Sequence, residues 1–120
     1  MLIKKSEAKI VDLGSKIIRK YTSLDKQLEI NYMILNGRTP DEKEAFICET
    51  KVHFMLLVAK GTGKIFKDSK SLNVKKGDCV DFPPGTRFAA EGSDFEYITA
   101  ESPAWYKKQA RIVDKNGRNF

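Results

Sequence analysis

Histidine is almost absent from this chain, and its scarcity limits the available chemistry. His53 is the only histidine among 120 residues. A metal centre that needs several imidazoles, or a catalytic centre that needs two, cannot be assembled from this composition. Any proton transfer by an imidazole would have to use His53 itself.

Cysteine is nearly as scarce, and a disulfide is not expected. The chain contains two cysteines, Cys48 and Cys79. In a chain without a secretion signal, two thiols are more often reduced residues than a disulfide. Both lie in apolar segments, where a thiol packs like a small hydrophobic side chain and lacks the basic partner that a nucleophile needs.

Long apolar runs are missing as well. No stretch approaches the roughly 20 apolar residues that are needed to cross a bilayer. The first residues, Met1–Glu7, become polar too early for a signal peptide. The sequence therefore predicts a cytoplasmic protein that has no membrane partner.

The charge of the chain is positive but dispersed. The formal net charge is +6, which alone would suit an anionic partner. The basic residues lie in small groups among acidic residues or in turns, without the interleaved exposed aromatics of a nucleic-acid site. We therefore expect a solvated surface, no nucleic-acid partner and, at this length, one domain covering residues 1–120.

Short strand patterns separated by turns dominate the chain. The candidate strands include Lys16–Tyr21, Leu28–Leu35, Ala45–Glu49, Phe54–Ala59, Cys79–Phe82, Arg87–Ala90 and Phe95–Thr99. The Phe54–Ala59 segment is apolar at every position, so we expect the core to cover one face, and a second layer, a terminal segment or a second subunit to cover the other. Asn36-Gly37 predicts a turn, and Ala104–Val113 predicts one or two turns of helix. This pattern predicts an all-β sandwich or barrel.

One segment has the spacing of a known motif. From Gly77 to Phe88 the chain has a glycine, five residues, Pro-x-Gly and two further residues before Phe88. This spacing resembles the second signature motif of the cupin family, and a weaker likeness extends over residues 28–113. The resemblance implies an antiparallel jelly-roll β-barrel with a short C-terminal helical turn, an internal pocket and, usually, a homodimer.

The same resemblance places aromatic rings at positions where cupins hold a metal. Cupin metal sites typically use three imidazoles and a carboxylate. The last histidine position holds Phe88, and counting back from Gly61 places the glutamate position at Phe54. The other two histidine positions fall at Ile47 and Glu49, or at Cys48 and Thr50. A phenyl ring cannot donate an electron pair to a cation, so we expect no metal and no cofactor.

The predicted ligand site is the interior of the barrel. The pocket candidates are Tyr32, Cys48, Glu49, Phe54, Leu56, Arg87 and Phe88. Aromatic walls with a few polar groups suit a small organic or sugar-like ligand. The predicted function is therefore metal-free binding of a small molecule, or a non-catalytic interaction module. In the alternative, the rings fill the barrel and the protein is a structural dimer.

A catalytic alternative depends on His53. Some metal-free cupins isomerise or epimerise nucleotide sugars with a histidine base and a tyrosine acid, which would pair His53 with Tyr32 or Tyr97. Neighbouring residues on a strand point to opposite faces, so His53 should point away from the face that carries Phe54. The sequence therefore favours a protein that is not an enzyme.

Overall fold

The protein is a curled antiparallel β-structure. The computed structural model describes residues 1–120. Its strands are β1 (Lys9–Asp12), β2 (Lys16–Thr22), β3 (Glu29–Thr39), β4 (Phe46–Glu49), β5 (His53–Lys60), β6 (Thr62–Lys67), β7 (Lys70–Lys75), β8 (Cys79–Phe82), β9 (Arg87–Ser102) and β10 (Ala110–Val113). The only helical elements are two 3₁₀ turns, Lys5–Glu7 and Lys107–Gln109. The predicted all-β fold class is thus confirmed.

None of the helical segments has the length and apolar character required to traverse a membrane.

The long strand β9 joins the two halves of the structure. Its first half pairs with β4, β6 and the end of β3, and its second half pairs with β3 and β5. The two strands predicted at Arg87–Ala90 and Phe95–Thr99 are therefore one continuous strand. Gly92 of β9 and Gly63 of β6 are register partners, and a Cβ on either would lie within 2.6 Å of Phe95 atoms. These glycines leave the space that the buried Phe95 ring occupies where β9 passes from one half to the other.

The predicted turn at Asn36-Gly37 is instead an irregularity within β3. The β3–β9 register shifts between Leu35 and Gly37, and the strand continues to Thr39. Gly37 has a φ of 128°, which a residue with a Cβ rarely adopts. The turn-forming dipeptide therefore produces a β-bulge, which bends the strand without ending it.

The hydrophobic core lies between the inward faces of the strands. In β3, β5 and β9, buried and exposed positions alternate, as expected for half-buried strands. The twelve-residue core cluster includes Phe54, Leu56, Val58, Phe88 and Ala90. Each large apolar side chain buried here contributes about 1.5–3 kcal/mol.

The apolar strand β5 is covered on only one face within the chain. Phe54, Leu56 and Val58 point inward, whereas Met55 and Leu57 are 48% and 42% exposed. Within one copy of the chain, no second layer covers the outward face of β5, and its cover by a second subunit stays a prediction. The outward face remains available to a second subunit.

The C-terminal segment contains the predicted short helical turn and then continues as a strand. Only Lys107–Gln109 forms a 3₁₀ turn, and Ala110–Val113 forms β10, which pairs with β4. The edge of β4 offers backbone hydrogen bonds to this segment, and a short helix would leave them unmade. Tertiary pairing therefore overrides the weak local preference for helix.

Candidate functional site

A cavity of about 700 Å³ opens between the inward faces of the strands. Small-molecule sites in proteins range from about 300 to 1,000 Å³. Residues from β1, β2, β3, β4, β5, β9 and β10 line it, and half of the 22 lining residues are hydrophobic. The core rings therefore do not fill the barrel.

One end of the cavity is aromatic. Phe54 and Phe88 line it, and Phe82 packs behind them. The Phe54 and Phe82 rings stack with centroids 4.6 Å apart, and Phe88 meets both edge-on at 5.5 and 5.0 Å. Such offset-stacked and edge-to-face geometry stabilises aromatic clusters beyond the effect of area burial alone.

Beside these rings, the cavity wall carries a hydrogen-bonded polar network on β2, β3 and β9, since Phe54 is the register partner of Glu101. Asn31 is its centre, because Nδ2 donates to Glu29 Oε1 at 3.0 Å and to Glu101 Oε2 at 2.6 Å. Thr99 Oγ1 also donates to Glu101 Oε2, at 2.7 Å. Lys20 Nζ lies 2.7 Å from Glu29 Oε1. The contacts link buried or half-buried positions both within β3 and β9 and between neighbouring strands.

Of the two carboxyl groups in this network, Glu29 and Glu101, only Glu101 faces the cavity. It lines the cavity and is 7% exposed. Both hydrogen bonds that it accepts reach Oε2, so Oε1 accepts none. Burial raises the pKa of Glu101, although the hydrogen bonds from Thr99 and Asn31 act in the opposite direction. This carboxyl group therefore holds a proton more readily than an exposed glutamate does.

A second carboxyl group, Glu49, faces the cavity from β4. Trp105 Nε1 donates to Glu49 Oε1 at 3.0 Å, and Gln109 Nε2 donates to Oε2. Burial raises the pKa of Glu49 despite these two donors. Trp105 also lines the cavity and is 40% exposed. Its indole therefore covers part of the opening while holding Glu49 in place.

Lys16 supplies a buried amine to the same cavity. The residue is 8% exposed, and its amine makes no salt bridge and no side-chain hydrogen bond. Burial lowers the pKa of Lys16, and the nearby Glu101 and Glu49 counteract this effect only in part. Ionisable groups whose environments push their pKa values away from normal commonly mark functional sites.

Two polar atoms of the cavity wall lack any partner. Asn31 Oδ1 and Tyr97 Oη are buried without a hydrogen bond. Burial raises the pKa of Tyr97, so its hydroxyl stays protonated. An unsatisfied buried polar atom costs about 1–3 kcal/mol. A wall that tolerates two such atoms is built for something other than maximal stability.

Three solved structures share this architecture. Pac13 from Streptomyces, a nucleoside dehydratase, aligns with a TM-score of 0.81 at 17% identity, over 95% of this chain and 91% of Pac13. Ectoine synthase from P. lautus aligns with a TM-score of 0.75 at 12% identity, over 94% and 90%. KdgF from Halomonas sp. aligns with a TM-score of 0.71 at 13% identity, over 88% and 96%.

This chain has a cupin-like fold. At these identities the likeness concerns the fold alone. No protein-family model and no curated protein matches the sequence.

The donor atoms of this cupin-like barrel do not fit the metal centre that its resemblance implies. Phe54 and Phe88 occupy the two recognisable ligand positions and pack against each other. No group of three histidine, cysteine, aspartate or glutamate side chains lies close enough to hold a metal ion. Chemistry in this cavity is therefore considered without a metal.

The structure brings some of the predicted pocket residues together and separates others. Glu49, Phe54 and Phe88 line the cavity, and Leu56 is fully buried in the core beside it. Besides Leu56, three predicted residues do not line the cavity, namely Tyr32, Cys48 and Arg87. They occupy strand positions that alternate with inward-facing neighbours, so they point to the opposite face.

Each of the separated residues has other contacts. Tyr32 donates to Glu96 Oε1 at 2.7 Å and lies beside the Arg19 guanidinium. Cys48 is a free thiol whose pKa is raised by burial, which opposes nucleophilic reactivity. Arg87 is the register partner of Cys48. These three residues therefore have roles in sheet packing and surface contacts.

His53 lies on the outer face of β5. Its side chain is 50% exposed, and Nε2 lies 2.6 Å from Asp81 Oδ1. It does not line the cavity. The structure therefore corrects the catalytic alternative in which His53 acts as a base inside the barrel.

Sequence reasoning missed most of the polar wall. The missed residues are Lys16, Lys20, Asn31, Thr99 and Glu101, all of which line the cavity. The sequence carried one signal for this wall. Tyr97, Thr99 and Glu101 are two residues apart along one strand, so their side chains share one face. That signal becomes informative only when the facing strand and its register are known.

Proposed function

We propose that this chain binds a small polar organic molecule, of the size of a sugar or a nucleoside, in the barrel cavity and does so without a metal. The observation that carries the proposal is a 700 Å³ cavity with an aromatic end and a buried polar wall. Aromatic rings stack on the flat or apolar face of such a ligand, and the polar groups bind its hydroxyl, carbonyl or amide groups.

The structural neighbours support the size of this ligand. Variants of Streptomyces Pac13 were solved with uridine, so a barrel of similar shape holds a nucleoside. The open cavity is an argument against the alternative of a filled structural barrel.

A second candidate function is metal-independent acid–base catalysis on the bound molecule. It is favoured by the presence of Lys16, Glu49 and Glu101 in one cavity, where burial raises the pKa of both carboxyls and lowers that of the amine. Pairs of groups with displaced pKa values can donate and accept protons near neutral pH. Two structural neighbours, a nucleoside dehydratase and an ectoine synthase, are enzymes, which is compatible with this candidate.

A cytoplasmic location and a homodimer belong to the same proposal. The dimer would use the outward face of β5, where Met55 and Leu57 are exposed. No membrane or nucleic-acid partner is included in it.

The binding test uses Trp105 as an internal reporter. The chain has one tryptophan, and that residue lines the cavity, so its fluorescence reports this site alone. Protein treated with a chelator is titrated with uridine, hexoses and a wider metabolite panel. We expect a saturable change with at least one compound, weakened by Asn31→Ala and preserved in the control Tyr32→Phe, whose hydroxyl lies outside the cavity.

Two results would contradict the proposal. The first is that Asn31→Ala leaves the Trp105 fluorescence response unchanged for every compound that binds. The second is stoichiometric Fe, Mn, Ni or Zn in the purified protein whose removal abolishes binding. For the catalytic candidate, a ligand found this way is incubated in deuterated water, and Glu101→Gln should abolish any exchange of its carbon-bound hydrogens seen with the wild type.

A further inference from the structure

We infer that Lys16 is a carbonyl-directed nucleophile whose amine forms an imine with an aldehyde or ketone held in the cavity. This inference rests on the proposed binding of a small molecule there, and it specifies the reactive group of that molecule.

The position of Lys16 distinguishes it from the other lysines of the cavity. It is the first residue of β2 and the register partner of Leu35, which is fully buried. Lys20, two rows further along β2, places its amine 2.7 Å from Glu29 Oε1. Lys9 on β1 is exposed. Among the three lysines that line the cavity, Lys16 alone is both buried and unpaired.

The amine of Lys16 is nevertheless open to the cavity. Nζ makes no salt bridge, and it is not among the buried polar atoms that are sealed from solvent without a partner. An unpaired amine with some accessibility, on the wall of a ligand-sized cavity, can reach a bound molecule. A lysine that only stabilised the fold would be expected to pair with a nearby carboxylate.

The charged groups around Lys16 favour a neutral electrophile over an anion. Three acidic side chains lie near Lys16, namely Glu101 on β9, Glu49 on β4 and Asp41 in the loop after β3. One further cation, Lys20, is also near it. An anionic ligand group would be repelled by each of these acids that is ionised. A carbonyl group meets no such repulsion. Burial also lowers the pKa of Lys16, which increases the fraction of free amine, the form that attacks a carbonyl.

The reaction balances with the groups present. The free amine attacks the carbonyl carbon, a C–N bond forms, and one proton passes from the nitrogen to the carbonyl oxygen to give a carbinolamine. The C–O bond then breaks as the hydroxyl takes a second proton and leaves as water, and the nitrogen loses its remaining proton to give the neutral imine. A protonated carboxyl in the cavity is suited to supply the proton for water loss, and Glu101 has the raised pKa that this role needs. No oxidant or reductant is consumed.

Reductive trapping on the full chain tests the inference. The protein is incubated near neutral pH with limiting glycolaldehyde or glyceraldehyde, and cyanoborohydride converts any imine to a stable secondary amine. Intact mass and peptide mapping then locate the adduct. We expect one dominant adduct on Lys16, its loss in Lys16→Arg and its retention in Lys9→Arg, the matched control on the same cavity. Adducts spread over surface lysines without enrichment at Lys16 would overturn the inference.

A second measurement keeps the inference testable if the Lys16 variants do not fold. Wild-type protein is labelled with a trace of acetic anhydride over a range of pH. We expect Lys16 to be acetylated ahead of Lys9 at neutral pH, because more of its amine is unprotonated. Slower acetylation of Lys16 than of Lys9 at every pH would overturn the inference. Protection of Lys16 from acetylation by added phosphate or acetate would also overturn it, because a protonated Lys16 would then be an anion site.

The two proposals fail differently. If Trp105 fluorescence reports a ligand and no trapping occurs at Lys16, ligand binding stands and the imine is refuted. If no compound alters Trp105 fluorescence and Lys16 is still trapped first, the reactive amine stands and the proposed range of ligands is wrong.

Discussion

Glu29 and Glu101 are register partners across β3 and β9, and the same nitrogen, Asn31 Nδ2, donates to both carboxyls. Their pKa values nevertheless move in opposite directions. Burial alone would raise the pKa of Glu29, but Lys20 and Thr22 together with Asn31 hold it below its usual value. Glu101 has no such cation in contact, and its pKa is raised by burial. One amide thus joins an ionised carboxylate to a carboxyl that tends to keep its proton.

Replacement of Glu101 by glutamine should stabilise the protein at neutral and alkaline pH. A carboxyl with a raised pKa in the folded state binds protons more tightly there than in the unfolded chain. Its contribution to stability is therefore lost as pH rises from the unfolded value, 4.5, through the raised folded value. Glutamine can keep an oxygen acceptor for Asn31 and Thr99 and cannot ionise.

Thermal unfolding measured from acidic to alkaline pH checks this expectation. The difference in Tm between Glu101→Gln and the wild type should grow above pH 4.5 and vanish below it. Glu42→Gln, at an exposed loop position, should show no comparable trend. A Glu101→Gln variant that becomes less stable as pH rises would show that the ionised form is favoured in the fold.

Substitution of Lys16 by methionine should increase stability while removing the proposed nucleophile. Lys16 makes no salt bridge, and burial makes its charged form less favourable in the folded state than in the unfolded chain. Urea unfolding at neutral pH should therefore show a higher midpoint for Lys16→Met. The exposed Lys9→Met should leave the free energy of unfolding almost unchanged. A loss of stability in Lys16→Met would mean that the amine has a stabilising partner.

Truncation of Phe88 should destabilise the barrel strongly. Its ring is 5% exposed and packs edge-on against Phe54 and Phe82. Phe→Ala changes in cores cost about 3–5 kcal/mol, and the urea midpoint of Phe88→Ala should fall accordingly. Phe120→Ala offers the control, because that ring is 57% exposed. Equal midpoints for the two variants would argue that the aromatic end is loosely packed.

Charged residues on the outer face of β5 should disrupt the proposed homodimer. Met55, Leu57 and the nearby Ile30 on β3 are 48%, 42% and 53% exposed, and Ala100 of β9 is the register partner of both Met55 and Ile30. Exposed apolar residues grouped on one sheet face are typical of interfaces. Light scattering at micromolar concentration should show a dimer for the wild type and a monomer for the double variant Met55→Lys/Leu57→Lys. Ile10→Lys, on β1, should remain dimeric. A monomeric wild type would rule out this interface.

The aromatic side of the cavity was accessible from local sequence patterns. Phe88 follows a turn motif of recognisable spacing, and Phe54 lies in an apolar strand with His53 next to it. Because side chains alternate along a strand, the facing of both residues follows from local order. The extent of the helix expected over Ala104–Val113 and the turn expected at Asn36-Gly37 were predicted wrongly for the opposite reason. Their outcome depends on β4 and β9, which are distant in the chain.

The all-β class and the absence of an imidazole set were determined by the sequence alone, since they follow from alternation and composition. The phenyl rings at two ligand positions are what the resemblance to the cupin motifs implies. The polar wall was decided only by the tertiary structure. Asn31 meets Glu101 across a separation of 70 residues, and Lys16 faces both Glu49 and Glu101 through curvature of the sheet. Pairing register and sheet closure depend on the packing of the entire chain, so no local pattern reveals which polar side chains will share a cavity or lose contact with water.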